Sequence, residues 1–307
     1  MNKKFKKIAI TILFSVAVFF VIDFAAYTTD WLIIKSEHNK FGTYAPSYKY
    51  TLLLDEDPFS YIVDKNSFRK PSNEKSKNPP IYIFGCSFAY GEKLNDNETF
   101  GAKLAEITNR PVYTFAYPGF SVQHMLYQLD NMDFSKYPKP KTIIYIYISD
   151  QMRRLMTDFN QPVQNVQYPR YELTNGDLKF KEKIKFSYVN FYCLRKIYCY
   201  FQNSRAANAK FAEENYDLLE KHFLAINSKI KEKFPNSQFI ILLYNPTDKE
   251  FFRNKKTLED QGIKVTTTAD LSPINLSNDE YKLKDSHPSA KVWEILTPKF
   301  VEKTGLK

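Results

Sequence analysis

An alternation of two kinds of segment constrains this chain most. Strand-like runs at 81–86, 111–117, 142–149, 238–245 and 263–268 are interleaved with helix-like segments at 97–108, 121–132, 207–234 and 289–303. The strand-like runs (IYIFG, TIIYIYIS, QFIILLY) are β-branched and aromatic with little polar alternation, as expected of strands buried on both faces. Parallel strands require long crossovers, usually helical, so the pattern predicts an α/β fold: a three-layer α/β/α sandwich around a central parallel sheet. Functional groups in such a sheet gather at the carboxyl ends of its strands. With 307 residues, 43% hydrophobic and 16% aromatic, the chain can bury a full core. One domain is expected over 80–307, after a lead-in over 28–79 that ends in the polar connector KPSNEKSKNPP. Residues 151–206 interrupt the alternation with a tyrosine-rich insertion, including the hairpin-like YELTNGDLKF, expected to wall the cleft and select substrate.

Two short strings carry chemistry. IYIFGCSFAYG ends a strand-like run in a small-residue turn bearing Ser87, and KDSHPSA places Asp285 two residues before His287 and Pro288. A serine hydroxyl is a weak nucleophile unless an imidazole takes its proton and a carboxylate orients that imidazole. A residue before proline is pushed toward extended geometry, where positions i and i+2 share a side, so Asp285 is expected beside His287. Of the other histidines, His38 lacks such a partner, and His124 and His222 fall in helix-like segments and read as surface or packed side chains. Taken alone, each string reads as an ordinary turn. The elbow of α/β-hydrolases needs glycine two residues on each side of serine, and Ala89 stands in the second place.

In this order the motifs resemble those of the SGNH hydrolases, the GDSL-type esterases and lipases. Gly85-Cys86-Ser87-Phe88 matches the family's first block with Cys86 in place of Asp. Gly119 in FAYPGFSVQ matches the second block, and KDSHPSA matches the last with one residue fewer between Asp285 and His287. The third block falls on Tyr147-Ile148-Ser149-Asp150, so Ser149 stands where the family has its oxyanion asparagine. The resemblance covers roughly residues 55–303. It implies a flavodoxin-like sandwich with Ser87 as nucleophile, His287 as base and Asp285 as its orienting partner. It also implies an oxyanion hole from the Ser87 and Gly119 backbone N–H groups with Ser149, to which Arg153 or Arg154 could add positive charge. The implied activity is ester hydrolysis, removing O-acyl groups from an envelope glycan or lipid. The alternatives are an O-acyltransferase using the same residues, or a domain that has lost catalysis and binds a glycan or protein.

The N-terminus adds a second signal. MNKKFKK supplies four lysines and no acid, and residues 8–22 are apolar apart from Thr11 and Ser15. Residues 8–27 as a helix measure about 30 Å, enough to cross a bilayer. The lysines predict a cytoplasmic segment over 1–7, a signal-anchor over 8–27 and an extracytoplasmic domain beyond, periplasmic in a Gram-negative cell. Cleavage after Ala25 or Ala26 would put Asp23 or Phe24 where a small residue is wanted, which favours an uncleaved anchor. The net charge of +10 loses those four lysines to the tail, and the remaining +6 is interspersed with acids. The one basic cluster, KFKEKIKF, alternates Lys with Phe and Ile and reads first as a half-exposed strand, with a patch for anionic lipid or polysaccharide as the alternative. Nucleic acid is therefore not an expected partner. Cys86 reads as buried filler, and Cys193 and Cys199 pair only if their segment is not a regular helix. No Cys/His cluster has metal-ligand spacing, so no metal or other cofactor is expected.

Overall fold

The computed structural model describes residues 8, 10–25, 49–52, 59–64, 68–156, 169–174, 176–183, 213–244 and 251–306. In chain order its strands are β1 (Lys49–Leu52), β2 (Phe59–Ile62), β3 (Ile81–Gly85), β4 (Val112–Thr114), β5 (Thr142–Tyr147), β6 (Pro169–Thr174), β7 (Asp177–Lys183), β8 (Gln238–Leu243) and β9 (Lys264–Thr267). The central sheet has the order β4-β3-β5-β8-β9 and is parallel throughout. From β3 the chain crosses to β4 on one side and returns to β5 on the other. The carboxyl end of β3 is thus a topological switch point, the place where open α/β sheets form a crevice.

Every residue of β3 and β5 is buried, which explains why their sequences lack polar alternation. Side chains still sort by face. Tyr82 and Phe84 lie in register with Ile143 and Tyr145. Tyr82 meets Phe234 (5.9 Å between centroids) and Tyr145 meets Phe223 (5.5 Å), so this face carries the helix Glu213–Lys233. The helix Val122–Asn131 packs beside it. The opposite face carries the helices Phe100–Thr108 and Ala290–Thr304, joined through Phe100 with Trp293 (5.2 Å) and Phe300 (5.3 Å). Gly101 permits that approach: a Cβ there would sit 3.2 Å from Thr114 Oγ1 and 3.4 Å from Ile83 Cδ1. The result is an α/β fold with a central parallel sheet and helices on both faces.

The run 70–80 is more than a connector. Ser72 exchanges two backbone hydrogen bonds with Val112 (3.0 and 2.9 Å) and covers the outer edge of β4, which would otherwise expose unpaired N–H and C=O groups. Ser76 and Asn78 both donate to the Asn109 carbonyl (2.7 and 2.9 Å), fastening the same run to the end of the neighbouring helix. YELTNGDLKF forms a hairpin, β6 with β7, and Lys181 of the basic cluster contacts Glu172 across it at 2.7 Å. The rest of that cluster beyond β7, most of 151–206 and Cys193 and Cys199 lie outside the described residues.

Residues 10–25 are helical, and Leu13, Phe14, Val21 and Phe24 each expose about two-thirds of their surface (69, 70, 68 and 67%). No helix among the described residues is long and apolar enough to cross a membrane, and residues 9, 26 and 27 of the expected span are outside them.

Candidate active site

The turn after β3 is built around Gly85. Its φ is +145°, and a Cβ there would lie 2.8 Å from both the Ile146 carbonyl oxygen and the Ala89 Cβ. Only glycine lets the strand pass that close to β5 and turn directly into a helix. That helix is a single turn, Ser87–Tyr90, with Cys86 as its fully buried N-cap residue. Gly91 closes it in the left-handed region (φ +74°), and the Ser87 carbonyl accepts from the N–H groups of both Gly91 (2.9 Å) and Glu92 (3.0 Å). Ser87 is thereby fixed, largely buried, just beyond the carboxyl end of β3.

Asp285 and His287 are brought together, though by a tighter turn than extended geometry supplies. Ser286 between them has φ +70°, and its N–H donates to the Leu283 carbonyl (2.9 Å) while the Leu283 N–H donates to the His287 carbonyl (2.7 Å). Asp285 Oδ1 accepts the His287 backbone N–H (3.2 Å), and Oδ2 stands 2.9 Å from Nδ1. The backbone thus holds the carboxylate beside Nδ1, within ion-pair distance of the ring. With one residue between them, the two partners remain in contact.

Two further charges complete the cluster. Lys93 Nζ lies 2.8 Å from Asp285 Oδ2, and Glu92 Oε2 lies 3.2 Å from His287 Nε2. Burial opposes the charged form of Asp285, yet the Lys93 hydrogen bond and the nearby imidazole hold its pKa below the usual value. Burial likewise opposes the imidazolium, but the Glu92 hydrogen bond and charge, followed by Asp285, raise the His287 pKa. Phe88, next to Ser87 in the chain, places its ring 5.3 Å from the His287 ring, so the two loops meet. Among the described residues no hydrogen bond joins Ser87 Oγ to His287.

The two remaining predicted positions flank the same edge. Gly119 (φ +84°) is the third residue of a turn closed by the Phe120 N–H on the Tyr117 carbonyl (3.0 Å), with Pro118 second, the arrangement of a type II turn. Ser149 follows β5 and receives the Met152 N–H on its carbonyl at 3.1 Å, at the start of the helix Asp150–Met156. Arg154 does not serve as a loose cation there. It is buried, pairs with Asp150 and donates to the Phe120 carbonyl (2.9 Å), tying the Gly119 turn to the helix after Ser149. Arg153 also faces Asp150, at 3.6 Å.

A cleft of about 320 Å³ opens between these loops, lined by Phe88, Ser149, Tyr244, Ser277, Lys282 and Ser286 among others. It is bordered by the chain neighbours of Ser87 and His287 rather than by those residues themselves. Its aromatic walls and hydroxyl groups suit a ligand with apolar faces and polar edges. His124 and His222 are structural, as their helical setting suggests. His124 Nδ1 accepts the Ser121 N–H (3.0 Å) at a helix start, and buried His222 contacts the Leu218 carbonyl (2.8 Å), its pKa pushed down by burial to about 4. Reading by motif missed Glu92 and Lys93, although they follow Gly91 directly, and Tyr244, for which a strand end was the sole clue.

No protein-family model matches the chain and no curated protein matches it. Among solved structures it is similar to a lipolytic protein of the G-D-S-L family from Desulfitobacterium hafniense, at 12% identity, covering 73% of this chain and 99% of that one, with a TM-score of 0.47. It is also similar to an acetyl xylan esterase from Butyrivibrio proteoclasticus (12% identity, 75% of this chain, 65% of that one, TM-score 0.45) and to a GDSL-like lipase from Parabacteroides merdae (14%, 76%, 98%, 0.45). At TM-scores below 0.5 these likenesses bear on neither activity nor substrate, and the site is judged by its own geometry.

Proposed function

We propose that this chain is a serine ester hydrolase of the SGNH type, acting outside the cytoplasm to remove O-acyl groups from an envelope glycan or lipid. The observation that carries the reading is the Asp285–His287 pair, 2.9 Å apart, meeting the Ser87 turn at the carboxyl edge of a parallel sheet beside a cleft. Ser87 Oγ attacks the acyl carbon while its proton passes to His287 Nε2. The oxyanion so formed is held by the Ser87 and Gly119 N–H groups with the Ser149 hydroxyl. On collapse the alcohol leaves with the proton from Nε2, and water, activated by the same imidazole, releases the acid. A sugar hydroxyl in place of water would make the same residues an O-acyltransferase. Exposed Leu13, Phe14, Val21 and Phe24 support a membrane-associated N-terminal helix.

A fluorophosphonate probe tests the reading without knowledge of the substrate. The full-length protein is expected to be labelled, with labelling lost in Ser87→Ala and much reduced in His287→Ala. Labelling that persists in Ser87→Ala removes the nucleophile. A folded protein that stays unlabelled at every pH supports a second reading, a binding domain, which Ser149 in the asparagine position and the Glu92 contact on Nε2 both favour.

A further inference from the structure

Glu92 stands where the reaction needs an open nitrogen. Its Oε2 is 3.2 Å from Nε2, the atom that must receive the Ser87 proton, and Asp285 already faces the other ring nitrogen at 2.9 Å. Two carboxylates on one ring favour the doubly protonated imidazolium, which is no base. The backbone that carries Glu92 is fixed. Arg69, buried, donates through Nη2 to the carbonyls of Gly91 (2.5 Å) and Leu94 (2.7 Å), and pairs through Nη1 with Asp96 (2.8 Å). The Arg69 guanidinium also lies against the rings of Tyr61 (4.4 Å) and Tyr90 (5.0 Å), which meet edge-on. The Glu92 N–H is taken by the Ser87 carbonyl, yet its side chain is 37% exposed and has solvent to swing into. A rigid mount with a free arm is the construction of a latch.

We propose that Glu92 is a positioning residue that holds the Nε2 proton of His287 in the resting site and swings off that nitrogen before His287 accepts the Ser87 proton. The inference rests on the assignment of Ser87 and His287 as nucleophile and base. The steps balance. The imidazolium releases its Nε2 proton to solvent, the exposed lone pair repels the Glu92 carboxylate, and the carboxylate leaves for water. Nε2 is then open to the Ser87 hydroxyl. Among the described residues the charged groups acting on the ring are Glu92 and Asp285. Lys93 acts through Asp285, and the nearby Lys282 is paired with Asp279 at 3.2 Å.

The test is a titration of His287 in the full-length protein by NMR of ¹³C-labelled histidine, the signal being assigned by its loss in His287→Gln. Wild type is expected to titrate above about 6.5, and isosteric Glu92→Gln to titrate lower by about one pH unit, the effect of removing one opposite charge at contact distance. Glu92→Asp, which keeps the charge and shortens the arm, should fall between them. The pH dependence of fluorophosphonate labelling should shift by the same amount, so that Glu92→Gln labels several-fold faster than wild type near pH 6.5. An identical titration midpoint in wild type and Glu92→Gln overturns the proposal, as does a labelling profile that does not follow the titration. If the titration moves as stated but neither protein is labelled at any pH, the hydrolase reading fails while the hold of Glu92 on His287 stands.

Discussion

Ser149 is the residue on which the proposed oxyanion hole turns. It borders the cleft at the end of β5, but a hydroxyl reaches less far than the amide found at this position in the family the sequence resembles. Loss of one oxyanion donor typically slows the chemical step about 100-fold or more. Ser149→Ala is therefore expected to lower kcat on a small activated ester by up to about 100-fold with little change in KM. Ser149→Asn should preserve or raise kcat once thermal melting shows that the larger side chain is accommodated. An unchanged rate in folded Ser149→Ala would leave the hole to backbone amides alone. His287 adds a condition on pH. Its raised pKa means that the charge cluster stabilises the fold fully below the unfolded value of about 6.5 and loses that contribution as pH rises through the folded value. The proposed base thus becomes available in the same range in which the cluster loosens. Asp285, with a lowered pKa, keeps its contribution until the pH falls through its folded value.

The strand-turn-helix element 81–91 places Ser87, and Gly85 is its most demanding position. A methyl group there has no space, because the contact at 2.8 Å is with the backbone carbonyl of Ile146, which cannot rotate away. The φ of +145° adds strain for any L side chain. Gly85→Ala is expected to cost about 2 to 5 kcal/mol, read as a lowered denaturant midpoint with the slope unchanged. A loss below about 0.5 kcal/mol, the range of ordinary surface substitutions, would show that β3 and β5 do not approach as described. The neighbouring loop is set from outside the sheet. Arg69 and the edge-covering run 70–80 belong to the lead-in, so that segment helps shape the site and cannot be treated as a tether.

At the scale of the whole molecule, the sheet topology gathers loops after β3, β4 and β5 with the turn before the last helix. The N-terminal helix presents apolar side chains that no described part of the domain covers. If it anchors the protein, the full-length chain should stay in the membrane fraction through high-salt and carbonate washes and be released by detergent. A C-terminal phosphatase reporter should be active only because the domain is exported. Recovery of the intact chain in the carbonate supernatant would rule the anchor out.

Much of the fold could be read directly because its cause is local. Unbroken apolar runs such as TIIYIY become doubly buried strands wherever helices alternate with them, and the five runs match β3, β4, β5, β8 and β9 to within a few residues. The sequence by itself also determined that Ser87 follows a strand end and that Asp285 lies near His287, since both facts depend on neighbours in the chain. Only the tertiary structure decided what faces the imidazole. Glu92 and His287 are far apart in sequence, and their contact exists because Arg69 fixes one loop while a left-handed Ser286 tightens another. Arg154 likewise looks like a free cation in the sequence, and becomes a clamp because Phe120 and Asp150 meet it in space. Hydrophobic periodicity is a property of adjacent residues, whereas the protonation and reach of a catalytic group depend on charges the fold brings from elsewhere.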